Sequence, residues 1–392
     1  MHPPRPRLAP SARRAPAARA AGVRRPRRAA AASTLAVGAL LLSACGSDYP
    51  LGEEQRRAAE ANTSDLSGTI TGVGSSAQSA AMATWISQFS SLNPDVRVQY
   101  SPAGSGAGRT AFLAGGVAFA GSDAFLDDDE LADAEAACGP GGAINIPAYI
   151  SPIALAFNLP GISEIDLDAE TVARIFRGEI TNWSDPAIAR LNEGVDLPDL
   201  GLTAIHRADD SGTTENFTEY LHAAAPGAWT DEADGSWPAG LGGENAQGNA
   251  GVMSTVTRTV GAITYADDSV VGAASGKARL AVGEQFVAVS PEAAARAVES
   301  STRVPDRGEH DIALHLDRTT TAEGAYPLVL VSYQIYCTGY RDAQTVELVK
   351  AFGGFVVSPE GQELAADSVG SSPMPAGLAG EAAAAIESIT TR

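Results

Sequence analysis

Thr69-Ile70-Thr71-Gly72-Val73-Gly74-Ser75-Ser76-Ala77 is the stretch that decides the fold. It reads as a short β-branched strand, a glycine-serine turn and the start of a helix. Met82, Trp85, Ile86, Phe89 and Leu92 then recur at helical spacing, which predicts a helix from about Ala77 to Leu92, closed by Asn93-Pro94. Val96-Arg97-Val98-Gln99-Tyr100 alternates as a strand. Gly104-Ser105-Gly106-Ala107-Gly108 turns into a helix through Phe112 and Leu113. Val117-Ala118-Phe119-Ala120 is a buried strand ending at Gly121-Ser122-Asp123. Strand, turn and helix in this repeated order predict a mainly parallel sheet with helices on its faces.

Toward the C-terminus the pattern continues. Ile144 to Asn158 reads as strand, Asp168 opens a helix with Val172, Ile175 and Phe176, and Asp185-Pro186 caps another. Ala204-Ile205-His206-Arg207 is a strand, and Asp210-Ser211-Gly212-Thr213 opens a helix bearing Phe217, Tyr220 and Leu221. Gly261 to Tyr265 and the apolar Leu328 to Cys337 are strands; Val346 to Phe355 and Pro359 to Ala366 are helical. The stretch from Gly272 to Gly324 carries little periodicity and yields no organisation.

Toward the N-terminus the character changes. Residues 1–44 hold nine arginines and no acidic residue, and an apolar run from Ala29 to Leu42 ends in Leu42-Ser43-Ala44-Cys45-Gly46. The run is short for a membrane span, which needs about 20 apolar residues. Basic region, apolar core and small residues before a cysteine resemble the lipobox of bacterial lipoproteins. That resemblance implies cleavage before Cys45 and a diacylglycerol, with palmitate among its acyl chains, on the Cys45 sulfur. Residues 45–65 then read as a polar tether.

Removing those nine arginines from the chain's 27 basic residues leaves 18 against 47 acidic ones, a formal charge of about −29. Such a surface excludes nucleic acid, which needs a basic face, and electrostatic adhesion to an anionic membrane. It does not exclude a small anion in a buried site, where local dipoles govern. Cys138 and Cys337 are the cysteines beyond Cys45. In an exported chain they permit a disulfide, with two free thiols as the alternative.

Three segments share one design: Gly72 to Ser76, Gly104-Ser105-Gly106, and Asp210 to Thr213 each join a strand to a helix through Gly and Ser or Thr. A helix N-terminus exposes unpaired N–H groups at the positive end of its dipole, glycine lets the backbone approach a ligand, and hydroxyls add donors. Three such termini, with Arg207 just before the third, point to a tetrahedral oxyanion. Other chemistries fit less well. Gly72-x-Gly74-x-x-Ala77 matches a dinucleotide pattern, but the second strand ends Gln99-Tyr100-Ser101 with no acid for a ribose. Gly272 to Ala278 is one residue short of a P-loop. No Gly-x-Ser-x-Gly elbow occurs, the histidines show no metal spacing, and Asp127-Asp128-Asp129-Glu130 reads as a solvated helix start. No metal or cofactor is expected.

Gly72 to Ser76, Ala103-Gly104-Ser105, Gly121-Ser122-Asp123 and Arg207 to Thr213 resemble, in order and spacing, the ligand loops of the PstS family, the phosphate-binding proteins of Pst-type ABC importers. Gly178-Glu179-Ile180-Thr181-Asn182-Trp183 and Trp237-Pro238-x-Gly-x-Gly-Gly add to the likeness. It implies an α/β, two-lobed periplasmic-binding-protein fold of type II, each lobe a mainly parallel sheet flanked by helices, with the ligand in the interlobe cleft. It carries phosphate contact to Ser76, Ala77 (through its N–H), Ser105, Asp123, Arg207, Ser211, Gly212 and Thr213, with Asp209 bracing the arginine. Ser76 stands where threonine is usual, and Ala77 where an aromatic is usual.

The expected organisation is a signal peptide (1–44), a lipid-anchored tether (45–65), a first lobe (66–148 and 326–392) and a second lobe (149–325). The expected protein is a monomeric extracytoplasmic receptor for inorganic phosphate, held on the cell membrane by its lipid and served by permease subunits with a cytoplasmic ATPase. The alternatives are a secreted phosphatase or phosphate-transfer enzyme using Ser211, and a receptor for sulfate, molybdate or a phosphonate.

Overall fold

The structure is a computed structural model that describes residues 64–392; the signal segment, Cys45 and most of the tether lie outside the described residues. Fifteen strands are assigned there: β1 (Gly68–Gly74), β2 (Val96–Ser101), β3 (Phe119–Ser122), β4 (Ala143–Phe157), β5 (Glu164–Leu167), β6 (Thr203–Arg207), β7 (Glu244–Ala246), β8 (Ala262–Asp267), β9 (Gly276–Val282), β10 (Gln285–Val287), β11 (Thr302–Arg303), β12 (Leu314–His315), β13 (Val329–Cys337), β14 (Gly339–Tyr340) and β15 (Thr390–Thr391). The main sheet runs β2-β1-β3-β13-β4-β8-β6-β7, with β9 joining β4 to β5 and β10.

The pairing shows how two halves are joined. β1 lies parallel to β2 and β3, and β6 lies parallel to β7 and β8. Between these parallel sets run two antiparallel strands. β4 pairs with β13 up to Pro152 and with β8 from Ile153 onward. All fifteen residues of β4 are buried, as its near-continuous apolar run anticipates for a strand covered on both faces. A register shift opposite Ser332 and Tyr333 leaves Ala148 as an extra residue on β4. Such bulges re-aim side chains beside sites.

The helices are α1 (Ser79–Leu92), α2 (Ser105–Leu113), α3 (Asp128–Cys138), α4 (Ala169–Phe176), α5 (Pro186–Ala189), α6 (Gly212–Ala224), α7 (Gly248–Arg258), α8 (Pro291–Glu299), α9 (Ala343–Val357), α10 (Pro359–Val369) and α11 (Ala376–Glu387). Met82, Trp85 and Phe89 form the buried stripe of α1, and the Trp85 indole donates to Gly361 O at 2.7 Å, tying α1 to α10. Asp127 and Glu130 form a reciprocal capping box on α3, so that acidic run is a helix start, as its sequence suggests. Cys138, the last residue of α3, is bonded to Cys337, the last of β13, with Cα atoms 5.0 Å apart and 199 positions between them.

Two expectations are corrected. Gly72 and Gly74 are strand residues rather than a turn, and α1 begins at Ser79 rather than Ala77. The glycines serve strand contact: a Cβ on Gly74, whose φ is +151°, would sit 1.8 Å from Gly121 O on β3. The stretch from Gly272 to Gly324 is also organised. It holds β9, β10, α8 capped by Ser290, and the β11–β12 ladder. Lys277 lies within β9, which removes the P-loop likeness, and its ammonium pairs with Asp268 at 2.5 Å. Residues 302–315 turn back toward β4 and β13. Ile312 N–H donates to Asn145 O at 2.9 Å, Asn145 Nδ2 to Asp311 Oδ1 at 2.7 Å, and Leu314 N–H to the Tyr333 hydroxyl at 3.1 Å. Among the described residues no helix is long and apolar enough to cross a membrane.

Candidate functional site

The three Gly-Ser loops, which follow β1, β2 and β6, come together: Gly104 N–H donates to Gly74 O at 2.9 Å and Gly106 N–H to Asp210 O at 3.3 Å. Asp123, just past β3, is the centre. It is 4% exposed, and it is surrounded by donors. Ser75 and Ser332 each donate a hydroxyl to its Oδ1 at 2.5 Å, and Thr213 donates to its Oδ2 at 3.2 Å. Its own N–H donates to Ser105 Oγ at 3.1 Å. Burial raises its pKa; the Ser332 and Ser75 hydrogen bonds, the charge of Arg207 and the Thr213 hydroxyl pull the other way. An acid desolvated yet surrounded by donors is suited to face a ligand that brings its own proton.

Arg207, the last residue of β6, is 2% exposed. Its Nε donates to Asp209 Oδ1 at 2.8 Å, its Nη2 donates to Asp209 Oδ2, and its Nη1 lies 3.4 Å from Thr213 Oγ1. Asp209 therefore grips one edge of the guanidinium as a two-pronged brace, and the Nη1 edge is turned toward the hydroxyls. Burial alone would raise the Asp209 pKa, but the hydrogen bonds and charge of Arg207 prevail and lower it. Gly248 N–H adds a third bond to Asp209 Oδ1 at 3.0 Å.

The remaining expected residues fall around these two. Ser211 is fully buried and caps α6, its Oγ accepting from Thr214 N–H at 3.2 Å, which leaves its hydrogen free to donate. Gly212 must be glycine: a Cβ there would meet Asp123 Cβ at 2.6 Å and Ser105 Oγ at 2.7 Å. Ser76 lies beside the start of α7, and its Oγ accepts from Asn249 N–H at 3.1 Å. Ala77 is buried, and its N–H donates to Ser75 Oγ at 3.0 Å within its own loop. His206 stacks on Trp237 with centroids 4.6 Å apart and bonds through Nδ1 to Arg207 O, so it packs the wall behind Arg207; burial lowers its pKa.

Sequence reasoning missed four residues. Ser75 sits inside the first Gly-Ser loop, where the family resemblance marks its neighbour Ser76 instead. Ser332 comes from β13, and the bulge opposite it gives no sequence signal. Asn249, fully buried, reaches Ser76 Oγ at 3.0 Å and Thr213 Oγ1 at 3.2 Å through its amide NH₂. Its signal was available: Gln247 joins β7 to α7, which opens with Gly248 and Asn249, a fourth strand-turn-helix. Arg318 bonds to Pro327 O, Val329 O, Glu219 and Asn216, and Asn216 in turn donates to Asp123 O at 2.7 Å. It links β13 to α6 and through Asn216 to the site.

Contacts also join the two sets of loops. Gly106 N–H donates to Asp210 O at 3.3 Å, and Arg109 on α2 pairs with Glu215 on α6 at 3.7 Å and with Asp210 at 4.0 Å. The arrangement can surround a small anion with hydroxyl, amide and guanidinium donors and offer one carboxylate to a proton. Among the described residues no group of three or more metal-ligating side chains occurs.

The chain resembles known proteins over most of its length. Residues 59–360 match the family model described as a PBP superfamily domain. The phosphate-binding protein PstS3 of Mycobacterium bovis is 37% identical over 331 residues, which cover 82% of this chain and 88% of that protein. The phosphate-binding protein PstS2 of the same organism is 35% identical over 382 residues, covering 93% of this chain and 99% of its own. Among solved structures, a high-affinity periplasmic phosphate-binding protein bound with phosphate superposes with a TM-score of 0.63 at 22% identity, over 81% of this chain and 93% of its own. A human phosphate-binding apolipoprotein gives a TM-score of 0.64 at 20% identity, over 80% and 93%. These two show likeness of fold.

Proposed function

The chain belongs to the PBP superfamily and, within it, to the PstS family of phosphate-binding proteins, and from that membership we propose that it captures inorganic phosphate outside the cell and hands it to an ABC import permease. The observation that carries the reading is Asp123, a buried carboxylate set among donors that suit an anion. A carboxylate repels an anion unless a proton lies between them. Hydrogen phosphate brings that proton and sulfate does not.

In this reading Arg207 Nη1, the hydroxyls of Ser76, Ser105 and Ser211, and the N–H groups at the start of α6, those of Gly212 and Thr213 among them, donate to ligand oxygens. Asp123 Oδ2 accepts the ligand's proton. The N-terminus of α6 adds its dipole at Gly212 and Thr213. Ala77 contributes its N–H as the first loop closes on the ligand. The lobes are taken as residues 66–148 with 326–392, and 149–325, with β4 and β13 as the two hinge strands and residues 302–315 reaching back onto the first lobe. Hinge closure would present a surface to the permease, whose cytoplasmic ATPase supplies the energy. The receptor acts as a monomer held by the lipid on Cys45, and it turns nothing over.

Calorimetric titration of the mature protein with phosphate, sulfate and a phosphomonoester tests this. Tight phosphate binding, rejection of sulfate and no release of phosphate from the ester are expected. Sulfate bound as tightly as phosphate would overturn the assignment of the ligand.

A further inference from the structure

Asn216 lies on α6 one turn beyond Gly212, facing the loop after β3. It is buried, and every polar atom of its amide has a partner. Its Oδ1 accepts from Arg318 Nη2, so its NH₂ must point the other way. There it donates twice, to Gly212 O of its own helix at 2.8 Å and to Asp123 O at 2.7 Å. Arg318 is held in turn. It is buried too, and its guanidinium N–H groups are all engaged, by Pro327 O, Val329 O, Glu219 and Asn216. Val329 pairs with Pro152, just where β4 passes from β13 to β8. Arg318 therefore ties α6 to the crossover between the two parallel sets of strands and fixes which way the Asn216 amide faces.

The bond from Asn216 to Asp123 O joins the two sets. Asp123 follows β3, which lies in the set of β1 and β2; α6 follows β6, which lies in the set of β7 and β8. If the cleft opens by moving α6 away from the loop after β3, this bond breaks, while the bonds to Gly212 and Arg318 travel with the helix. A contact made only in the closed arrangement favours that arrangement over the open one.

We propose that Asn216 is a positioning residue that latches α6 to the loop after β3, and so sets how long a bound phosphate stays rather than how fast it arrives. The ligand enters an open cleft, before the bond exists, and leaves only after the bond is broken. The inference rests on the phosphate reading above and concerns a residue outside the set that touches the ligand there. A cavity of about 170 Å³ lined by Asp123, Asn216 and Arg318 lies beside the bond. It has room for water, which could bridge to Asp123 O if the side chain were simply cut back. The test therefore replaces the amide by a group of similar size.

Release of radiolabelled inorganic phosphate from the mature protein is timed after a chase of unlabelled phosphate, and the calorimetric Kd converts each release rate into an association rate. Asn216→Leu fills the space, carries no charge and leaves Asp123 O unpaired. It should release phosphate about tenfold faster, with association changed by less than about threefold. Asn216→Asp keeps an acceptor for Arg318 but turns a bare oxygen toward Asp123 O, and it should release phosphate faster still. A role in folding alone predicts the reverse for this variant: with Arg318 still paired, release would stay at the wild-type rate. If Asn216→Leu does not fold, Asn216→Ala takes its place. Wild-type release from both variants overturns the latch while the receptor reading stands. Fast release from Asn216→Asp alone also overturns it, because an added negative charge would then account for the effect. A wild type that binds no phosphate overturns both readings.

Discussion

Ser332 donates its hydroxyl to Asp123 Oδ1 at 2.5 Å across 209 positions of sequence. Ser75 donates to the same oxygen. Two donors saturate Oδ1 and turn Oδ2 toward Thr213 and the cleft. This division predicts what asparagine does at position 123. The carbonyl must occupy the Oδ1 place to receive two hydroxyls, which puts the NH₂ where the ligand sits. Asp123→Asn should weaken phosphate by about tenfold, the loss of one hydrogen bond to a charged partner. It should also make sulfate binding measurable, because a donor now faces a bare oxygen. Competition titrations of the two anions check this, and a variant that still rejects sulfate would assign selectivity to the hydroxyls instead.

Arg207→Ala should weaken phosphate by about 2–5 kcal/mol, because it leaves Asp209 and the ligand without their shared cation. Arg207→Lys should recover little of it, since an ammonium cannot satisfy both Asp209 oxygens and the cleft at once. Less than a tenfold loss in calorimetry for the alanine variant would remove Arg207 from the site.

Asp267 gives the stability a pH dependence. It is fully buried, its Oδ1 takes the Tyr149 hydroxyl and Ser269 N–H, and burial pushes it up to about 7 against hydrogen bonds that lower it. The unfolded chain ionises this group near its ordinary value of 3.8, so between that pH and about 7 the folded state holds the extra proton. Stability from this group is present below the lower value and is lost as pH rises to the higher one. Asp267→Asn should remove the loss, by up to about 4 kcal/mol at pH 8, with little effect at pH 4. Ligand-free melting curves across this range check it; a constant offset between variant and wild type would count against a raised pKa.

Cys138→Ser with Cys337→Ser should lower stability by about 4–5 kcal/mol at most, the chain-entropy value for so long a loop. Phosphate affinity should stay within about threefold, because Cys337 is five residues along β13 from Ser332, roughly 16 Å of strand. Denaturation with and without reductant, paired with calorimetry, separates the two effects.

Cys45→Ala should move the protein from the membrane fraction to the soluble fraction with its phosphate affinity intact. Unchanged membrane association would point to another anchor.

The first half of the fold was legible because its signals are local. A helix of the α1 type announces itself through Met82, Trp85 and Phe89 within eight positions, and α3 through its capping box within four. The stretch from Gly272 to Gly324 was illegible for the converse reason. In β9 the inward positions include glycine and alanine, which give little hydropathic contrast, and the partners of Asp311 and Leu314 lie on β4 and β13. The site divides the same way. Ser105, Ser211, Gly212 and Thr213 stand in turns whose composition marks a helix N-terminus, whereas Asp123, just past β3, is singled out by the resemblance to the PstS loops.

The amino-acid sequence by itself determined the class of fold, the three anion loops and the pairs of elements that carry them, since each depends on residues a few positions apart. Tertiary structure decided which atoms share the site. Ser332 reaches Asp123 because β13 runs antiparallel to β3 with Tyr333 opposite Ser122, and Asn249 reaches Ser76 because α7 packs its N-terminus against the loop after β1. Hydrogen-bond direction in a buried cluster depends on every donor and acceptor within about 3 Å, and such neighbours here come from positions 48 to 209 apart. No local pattern encodes that distance, and so the proton arrangement around Asp123 belongs to the folded chain alone.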